Sequence, residues 1–314
     1  MNGNLKMERP TYTISLKHYT ARDGARIACR VFEPRQDARA VLVFLHGAAL
    51  NSQLYAPIGV RLSSNFGVQA VFVDMRGHGE SDGRRGHVDY IGQLEDDIQD
   101  ILSALKRESP GRPLFLGAHS AGSSVIVRYA GLKGAISPDG YVFVSALLVK
   151  NPTFTISSGQ GKSTNNGAKD VVSKFHMMRR VLLDILNRLG FTALNTLPIV
   201  HFDFPMEIEA RAQSNVKSYS YTMIRQMDVH NYFYGFKNID RPLLMIIGQA
   251  DVVVQPEDLK IVFDQYVPSG IDKSFKVLAK YDHFNIVWGA GKAIGEWITT
   301  RLGNPVDLRS GHLR

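Results

Sequence analysis

Five short, nearly unbroken apolar runs recur along the chain, at "AVLVFLHG", "VQAVFVDMRG", "PLFLGAHS", "GYVFVSALL" and "RPLLMIIGQADVVV". Stretches with helical periodicity lie between most of them, starting near Gln53, near Tyr90 and after Gln255. No other feature constrains the fold as much, because repeated strand-helix-strand units close as a parallel sheet with crossover helices. Runs without polar alternation belong to strands covered on both faces. A sixth run, "SFKVLAK", and a final helix containing "GKAIGEWITTRL" continue the pattern. Ahead of it all, "TYTISLKHYTA" and "RIACRVFEP" flank "RDG" and predict an antiparallel hairpin at one edge. The fold class is therefore α/β: a mostly parallel central sheet with helices on both faces.

The rhythm breaks after "GYVFVSALL". A polar stretch, "SSGQGKSTNNGAKD", is followed by the helical stretches "VVSKFHMMRRVLLDILNRLG" and "SYSYTMIRQMDVHNYFYGF". This divides the chain into a core, residues 1–149 and 238–314, and an inserted helical cap, residues 150–237.

Composition removes several function classes. An apolar fraction of 44% and a charged fraction of 21% are those of a folded, water-soluble protein. No run reaches the roughly 18 apolar residues of a membrane span, and "MNGNLKMERPTYTIS" lacks an apolar signal core, so a cytoplasmic protein without stable membrane insertion is expected. Transient contact with a membrane surface stays compatible with this. Cys29 is the single cysteine and reads as a small buried hydrophobe. The net charge of +8 comes from scattered pairs such as "GRR" and "MRR", without the basic stripe of a nucleic-acid binder.

Chemistry concentrates at the ends of the predicted strands. Ser120 sits among small residues where a strand gives way to a helix, a position that suits a nucleophile as well as an ordinary turn or helix cap. A serine nucleophile needs a base and an acid to orient that base. Asp251 follows the strand "PLLMIIG" and His283 follows "SFKVLAK"; each alone could be a helix cap or a strand-end histidine. Together they converge, because ligand groups of open α/β sheets gather at the carboxyl ends of the strands. Asp282 is a poor rival acid, since adjacent side chains rarely face each other. Oxyanion donors are expected from the backbone amides of Ala121, after the nucleophile, and Ala48, in the loop "HGAAL".

The segments "FLHGAALNSQLYAP", "VFVDMRGHGESDGRRGHVD", "GAHSAG", "IIGQADVVV" and "YDHFNI" resemble the α/β-hydrolase superfamily, in its monoacylglycerol lipase and lysophospholipase-like branch (serine aminopeptidase S33 type). That resemblance implies an α/β-hydrolase fold with a lid-like cap, and a serine hydrolase acting on a small ester or lipid with a lipophilic acyl group. It departs from the family pattern at Ala118, two residues before Ser120, where glycine is usual. It also implies that Asp74 and His78 belong to a structural turn, while His46 is read as orienting the oxyanion loop.

His119 is expected to point away from the nucleophile. His201 and His230 lie in the cap without companions at ligand spacing, so no metal or other cofactor is expected. Met223, Met227, Tyr232 and Phe233 are candidates for the acyl pocket, or else plain helix core. "ISSGQGKS" is a broken phosphate-loop motif, with Ile156 where glycine is required, and reads as a loop at the cap entrance. The same triad also serves thioesterases, amidases and carbon–carbon bond hydrolases, and a non-catalytic binding relative is a further alternative. Oligomeric state is not legible.

Overall fold

Phe32, Phe44, Phe72 and Val71 alternate with small and β-branched residues in the first predicted strands, a pattern suited to a pleated surface buried on both sides. The computed structural model, which describes residues 11–148, 172–204, 206–213, 216–228 and 235–303, places them in one eight-stranded sheet. Its first six strands are β1 (Tyr12–Thr20), β2 (Arg26–Pro34), β3 (Ala40–Leu45), β4 (Val68–Val73), β5 (Leu114–His119) and β6 (Gly140–Val144). Three further strands, β7 (Val172–Phe175), β8 (Pro198–Phe202) and β9 (Ser218–Ser220), form a separate sheet, and β10 (Leu243–Gly248) and β11 (Lys273–Leu278) complete the large one.

The order across the large sheet is β1-β2-β4-β3-β5-β6-β10-β11. Pairing is parallel from β4 to β11, while β2 runs antiparallel to both its neighbours. The predicted edge hairpin is present, with Tyr12 opposite Pro34 and Thr20 opposite Arg26. Every residue of β3, β4, β5, β6 and β10 is buried, as strands covered on two faces must be.

The helices follow the strands that predicted them. They are α1 (Ala56–Asn65), α2 (Gln93–Glu108) and α3 (Gly122–Ala130), then α4 (Met177–Arg188), α5 (Met206–Ala212) and α6 (Tyr221–Gln226), and finally α7 (Pro256–Tyr266) and α8 (Val287–Arg301). Around the sheet, α1 packs on α8 and α2 on α3. Between α1 and the sheet, the rings of Phe44, Phe72 and Tyr55 stand 5.4 to 5.9 Å apart, centroid to centroid.

The segment between β6 and β10 amends one expectation. Where helix alone was predicted, Val172–Phe175 and Ser218–Ser220 are strands flanking β8 in a three-stranded antiparallel sheet. Hydrogen bonds to a partner strand decide the matter there, and periodicity over three or four residues is too short to reveal them. The broken phosphate-loop motif at 156–163 lies outside the described residues.

Candidate active site

The sheet delivers its chemistry at the carboxyl ends of β3, β5, β10 and β11, in agreement with the general rule for open α/β sheets. Ser120 follows β5 directly and adopts a left-handed backbone conformation, φ 51°, which strains any residue other than glycine. The turn is locked on both sides: the Ser120 amide donates to the Val144 carbonyl (3.0 Å), and its carbonyl accepts from Ser123 and Leu147 (both 3.1 Å). Glycine is required at 122, where a Cβ would stand 2.5 Å from the His46 carbonyl oxygen. That glycine also leaves room for the methyl of Ala118, 3.3 Å from the same point, which accommodates the departure from the usual elbow pattern.

Ser120, His283 and Asp251 meet in hydrogen-bonding succession. The Ser120 hydroxyl lies 2.9 Å from His283 Nε2, and His283 Nδ1 lies 2.9 and 3.0 Å from the two Asp251 carboxylate oxygens. All three residues are buried. A carboxylate cannot donate, so Nδ1 carries the proton and Nε2 is left to accept from the serine. Asp251 also accepts from the amides of Val253 (3.0 Å) and Val254 (2.9 Å). Burial by itself would raise its pKa. The charge and hydrogen bond of His283, with the Val254 amide, outweigh that and hold the carboxyl below its ordinary value.

Facing Ser120 is the loop after β3. A Cβ on Gly47 would stand 3.1 Å from Ser120 Cβ, so the loop backbone lies directly against Ser120. Within it the Gly47 amide donates to Tyr55 Oη (2.9 Å), the Ala49 amide to Tyr219 Oη (2.6 Å), and the Leu50 amide to the Gly47 carbonyl (3.2 Å). Among the described residues no protein group accepts from the Ala48 or Ala121 amides. Both amides are left as donors without a partner among those residues.

Three buried histidines brace this arrangement. His46 donates from Nδ1 to the Gly47 carbonyl (2.8 Å) and accepts the Met75 amide at Nε2 (3.0 Å). His119 donates from Nε2 to the His283 carbonyl (2.8 Å) and accepts from Tyr55 Oη at Nδ1 (2.9 Å). His78 donates from Nδ1 to the Arg76 carbonyl (3.0 Å) and accepts from Tyr219 Oη at Nε2 (2.8 Å). Burial pushes His46 down to about 4 and both His78 and His119 to about 3, so all three stay neutral near pH 7.

Asp74 belongs to the turn, accepting from the Ser52 amide (2.6 Å) and the Glu80 amide (2.9 Å). Met223 is fully buried in the core, and Met227 is half-buried with its sulfur 3.8 Å from the Ser124 hydroxyl. Tyr232, Phe233 and His230 lie outside the described residues. The His201 ring stands against His176, centroids 5.3 Å apart, and the described residues hold no cluster of three metal-ligating side chains. Sequence reasoning missed Tyr55 and Tyr219 and gave His119 no task. A phenol becomes legible as a backbone clamp only when the fold brings it to a loop up to 170 residues away.

Comparison with known proteins identifies the family. The family model described as serine aminopeptidase, S33, matches residues 36–284. The chain is 29% identical over 136 residues to a monoacylglycerol lipase of Mycolicibacterium smegmatis, covering 43% of this chain and 46% of that protein. It is 29% identical over 140 residues to human monoglyceride lipase, covering 44% and 45% respectively, so it spans less than half the length of each of these relatives. A soluble variant of Saccharomyces cerevisiae monoglyceride lipase shares the fold at TM-score 0.66 and 19% identity, covering 95% of this chain and 98% of that one. An α/β hydrolase of Penicillium, GrgF, does so at 0.65 and 19%, covering 92% and 98%. With the family model matched over most of its length and the eight-stranded sheet of the fold in place, the chain belongs to the serine aminopeptidase S33 family.

Proposed function

We propose that this protein is a serine hydrolase that cleaves carboxylic esters of lipophilic acyl groups, such as a monoacylglycerol or a lysophospholipid. The observation that carries the reading is the unbroken chain of hydrogen bonds from the Ser120 hydroxyl through His283 to Asp251. In the first step Ser120 Oγ attacks the ester carbonyl carbon while its proton passes to His283 Nε2. Asp251 stabilises the imidazolium, and the amides of Ala48 and Ala121 hold the negative oxygen. Collapse expels the alcohol, which takes the proton from His283, and leaves an acyl group on Ser120. Water then attacks that acyl group with His283 as base and releases the carboxylic acid.

Residues 150–237 serve as the cap, and α4 is its contact with lipid. Along α4 only Leu183 is buried, while Met177, Met178, Val181, Leu182 and Ile185 are exposed, with Leu189 and Phe191 exposed just beyond. A soluble helix turns such a stripe inward. An outward stripe flanked by Arg179 and Arg188 suits transient contact with an anionic lipid surface that supplies substrate. No described helix is long and apolar enough to cross a membrane.

The reading is tested with p-nitrophenyl esters and monoacylglycerols of graded chain length, assayed beside Ser120→Ala. The variant is expected to lose at least about 10⁴-fold in kcat. Equal rates in both proteins overturn the proposal, and a preference for short acyl chains discards the lipid substrate while keeping the mechanism.

A further inference from the structure

The loop that presents the Ala48 amide is clamped on both sides by tyrosine hydroxyls, and the two clamps have different origins. Tyr55 stands immediately before α1, within the core. Tyr219 comes from β9, in the segment that interrupts the core between β6 and β10. Its hydroxyl is wholly buried and has two partners, accepting the Ala49 amide at 2.6 Å and donating to His78 Nε2 at 2.8 Å. Ala49 itself has φ 54°, a conformation that a residue with a Cβ keeps only when its surroundings enforce it.

Each end of this link is fixed. His78 is tied to the Arg76 carbonyl and packs on His46, ring centroids 4.8 Å apart, and His46 holds the Gly47 carbonyl. On the other side β9 is moored to the core: the Ser220 amide donates to the Gly86 carbonyl (3.0 Å), and Ser220 Oγ meets His87 Nδ1 (2.8 Å). The Tyr219 ring lies edge-on to the rings of Phe202 and His78. Its position therefore follows the docking of the second sheet.

We propose that Tyr219 is a positioning residue for the oxyanion site: by holding the Ala49 amide, it fixes the strained backbone that aims the neighbouring Ala48 amide at the reacting oxygen. The segment between β6 and β10 thus completes the catalytic loop. This rests on the hydrolase reading above and extends it, because it makes the orientation of the oxyanion donor depend on β9 being docked.

Tyr219→Phe keeps the ring and removes the hydroxyl. Losing an oxyanion donor outright costs about 10²- to 10³-fold in kcat, so a donor left in place but poorly aimed should cost about 10- to 100-fold. The decisive measurements are kcat, KM and the inhibition constant of a long-chain trifluoromethyl ketone, whose serine adduct carries an oxyanion. Rates are referred to active sites titrated with a fluorophosphonate. The expected result is a lowered kcat, KM within about twofold, and a ketone constant weakened by a factor comparable with the loss in kcat. Unchanged kcat and ketone affinity overturn the proposal, as does a loss that falls on KM alone.

Should Tyr219→Phe fail to fold, 3,5-difluorotyrosine placed at 219 keeps the hydroxyl but weakens its oxygen as an acceptor. It is then expected to lower kcat and ketone affinity together by a few-fold, and no change in either overturns the proposal. An active Ser120→Ala sinks the hydrolase reading. An inactive Ser120→Ala beside a fully active Tyr219→Phe sinks only the role of Tyr219.

Discussion

The large sheet and the segment between β6 and β10 treat their apolar residues in opposite ways. Strands β3 to β6 and β10 bury every residue, and the histidines that enter this core, His46, His78, His119 and His283, are each held by hydrogen bonds around Ser120. Helix α4, in the other region, exposes Met178 to 80% and Leu182 to 53%. Burial on both faces gives the large sheet the rigidity needed to hold reacting groups at hydrogen-bond distance. An outward apolar stripe contributes nothing to a core, which is why the lipid contact proposed above is assigned to it. Substitutions should therefore separate the two regions: those in the sheet and its strand ends reach chemistry and stability, and those on α4 reach neither.

The largest expected effect lies at Asp251. Asp251→Asn removes the acceptor that fixes the His283 tautomer while preserving shape, and kcat should fall by about 10⁴-fold with little change in KM. The measurement is a steady-state assay on a p-nitrophenyl ester. A loss below tenfold would mean that another group orients His283.

Acid should strike the core next. Folded His46, His78 and His119 sit at about 4, 3 and 3, whereas an unfolded histidine titrates near 6.5. Between those values the unfolded chain binds more protons than the folded one, so stability falls as pH falls. The contribution is complete above about pH 6.5 and is lost progressively toward the folded values. Three such groups give a slope of up to about 4 kcal/mol per pH unit, opposed in part by Asp97, which burial raises to about 6, while the lowered Asp251 adds loss of the same sign further down. Urea midpoints should drop steeply from pH 6.5 to 5. A midpoint that stays constant over this range would mean that the three rings are protonated in the native state.

Much of the sheet was legible because its signal is redundant. In β3, "AVLVFL" states burial at six successive positions, and the parallel neighbours of β3 repeat the message. Ser120, Asp251 and His283 were legible for another reason: each follows a recognisable strand, so the topology carried them together. The three short strands β7 to β9 carried no such redundancy. Tyr219 looks like any aromatic in "KSYSYTM", and its partners Ala49 and His78 lie 170 and 141 residues away. A contact of that kind is created by how β9 docks and leaves no local periodicity to read. The contacts of His119 were hidden for the same reason, since its acceptor is a backbone carbonyl at residue 283.

Leu116→Ala and Leu182→Ala compare the two regions directly. Leu116 is fully buried in β5, four residues before Ser120, and its truncation should cost about 2 to 5 kcal/mol. Leu182, half-exposed on α4, should cost less than about 0.5 kcal/mol. Equal losses in urea denaturation would show that α4 is covered by protein in solution, and the contrast between the regions would fail.

Met178, Leu182 and Ile185 form successive positions of the outward stripe, so replacing all three by serine tests what that stripe is for. Removing apolar area that water already wets changes folding little, and the melting temperature should move by no more than a few degrees. Hydrolysis of a soluble short-chain ester should also be unchanged, because α4 contributes no group to the hydrogen bonds around Ser120. Partitioning onto anionic vesicles is different. Each exposed side chain that enters the interface contributes about 1 kcal/mol or more, so the triple variant should bind vesicles at least about tenfold less well. Hydrolysis of vesicle-borne monoacylglycerol should fall in proportion. Unaltered vesicle binding with unaltered ester hydrolysis would leave the outward apolar face without a lipid role, and α4 would then have to be assigned to a protein partner.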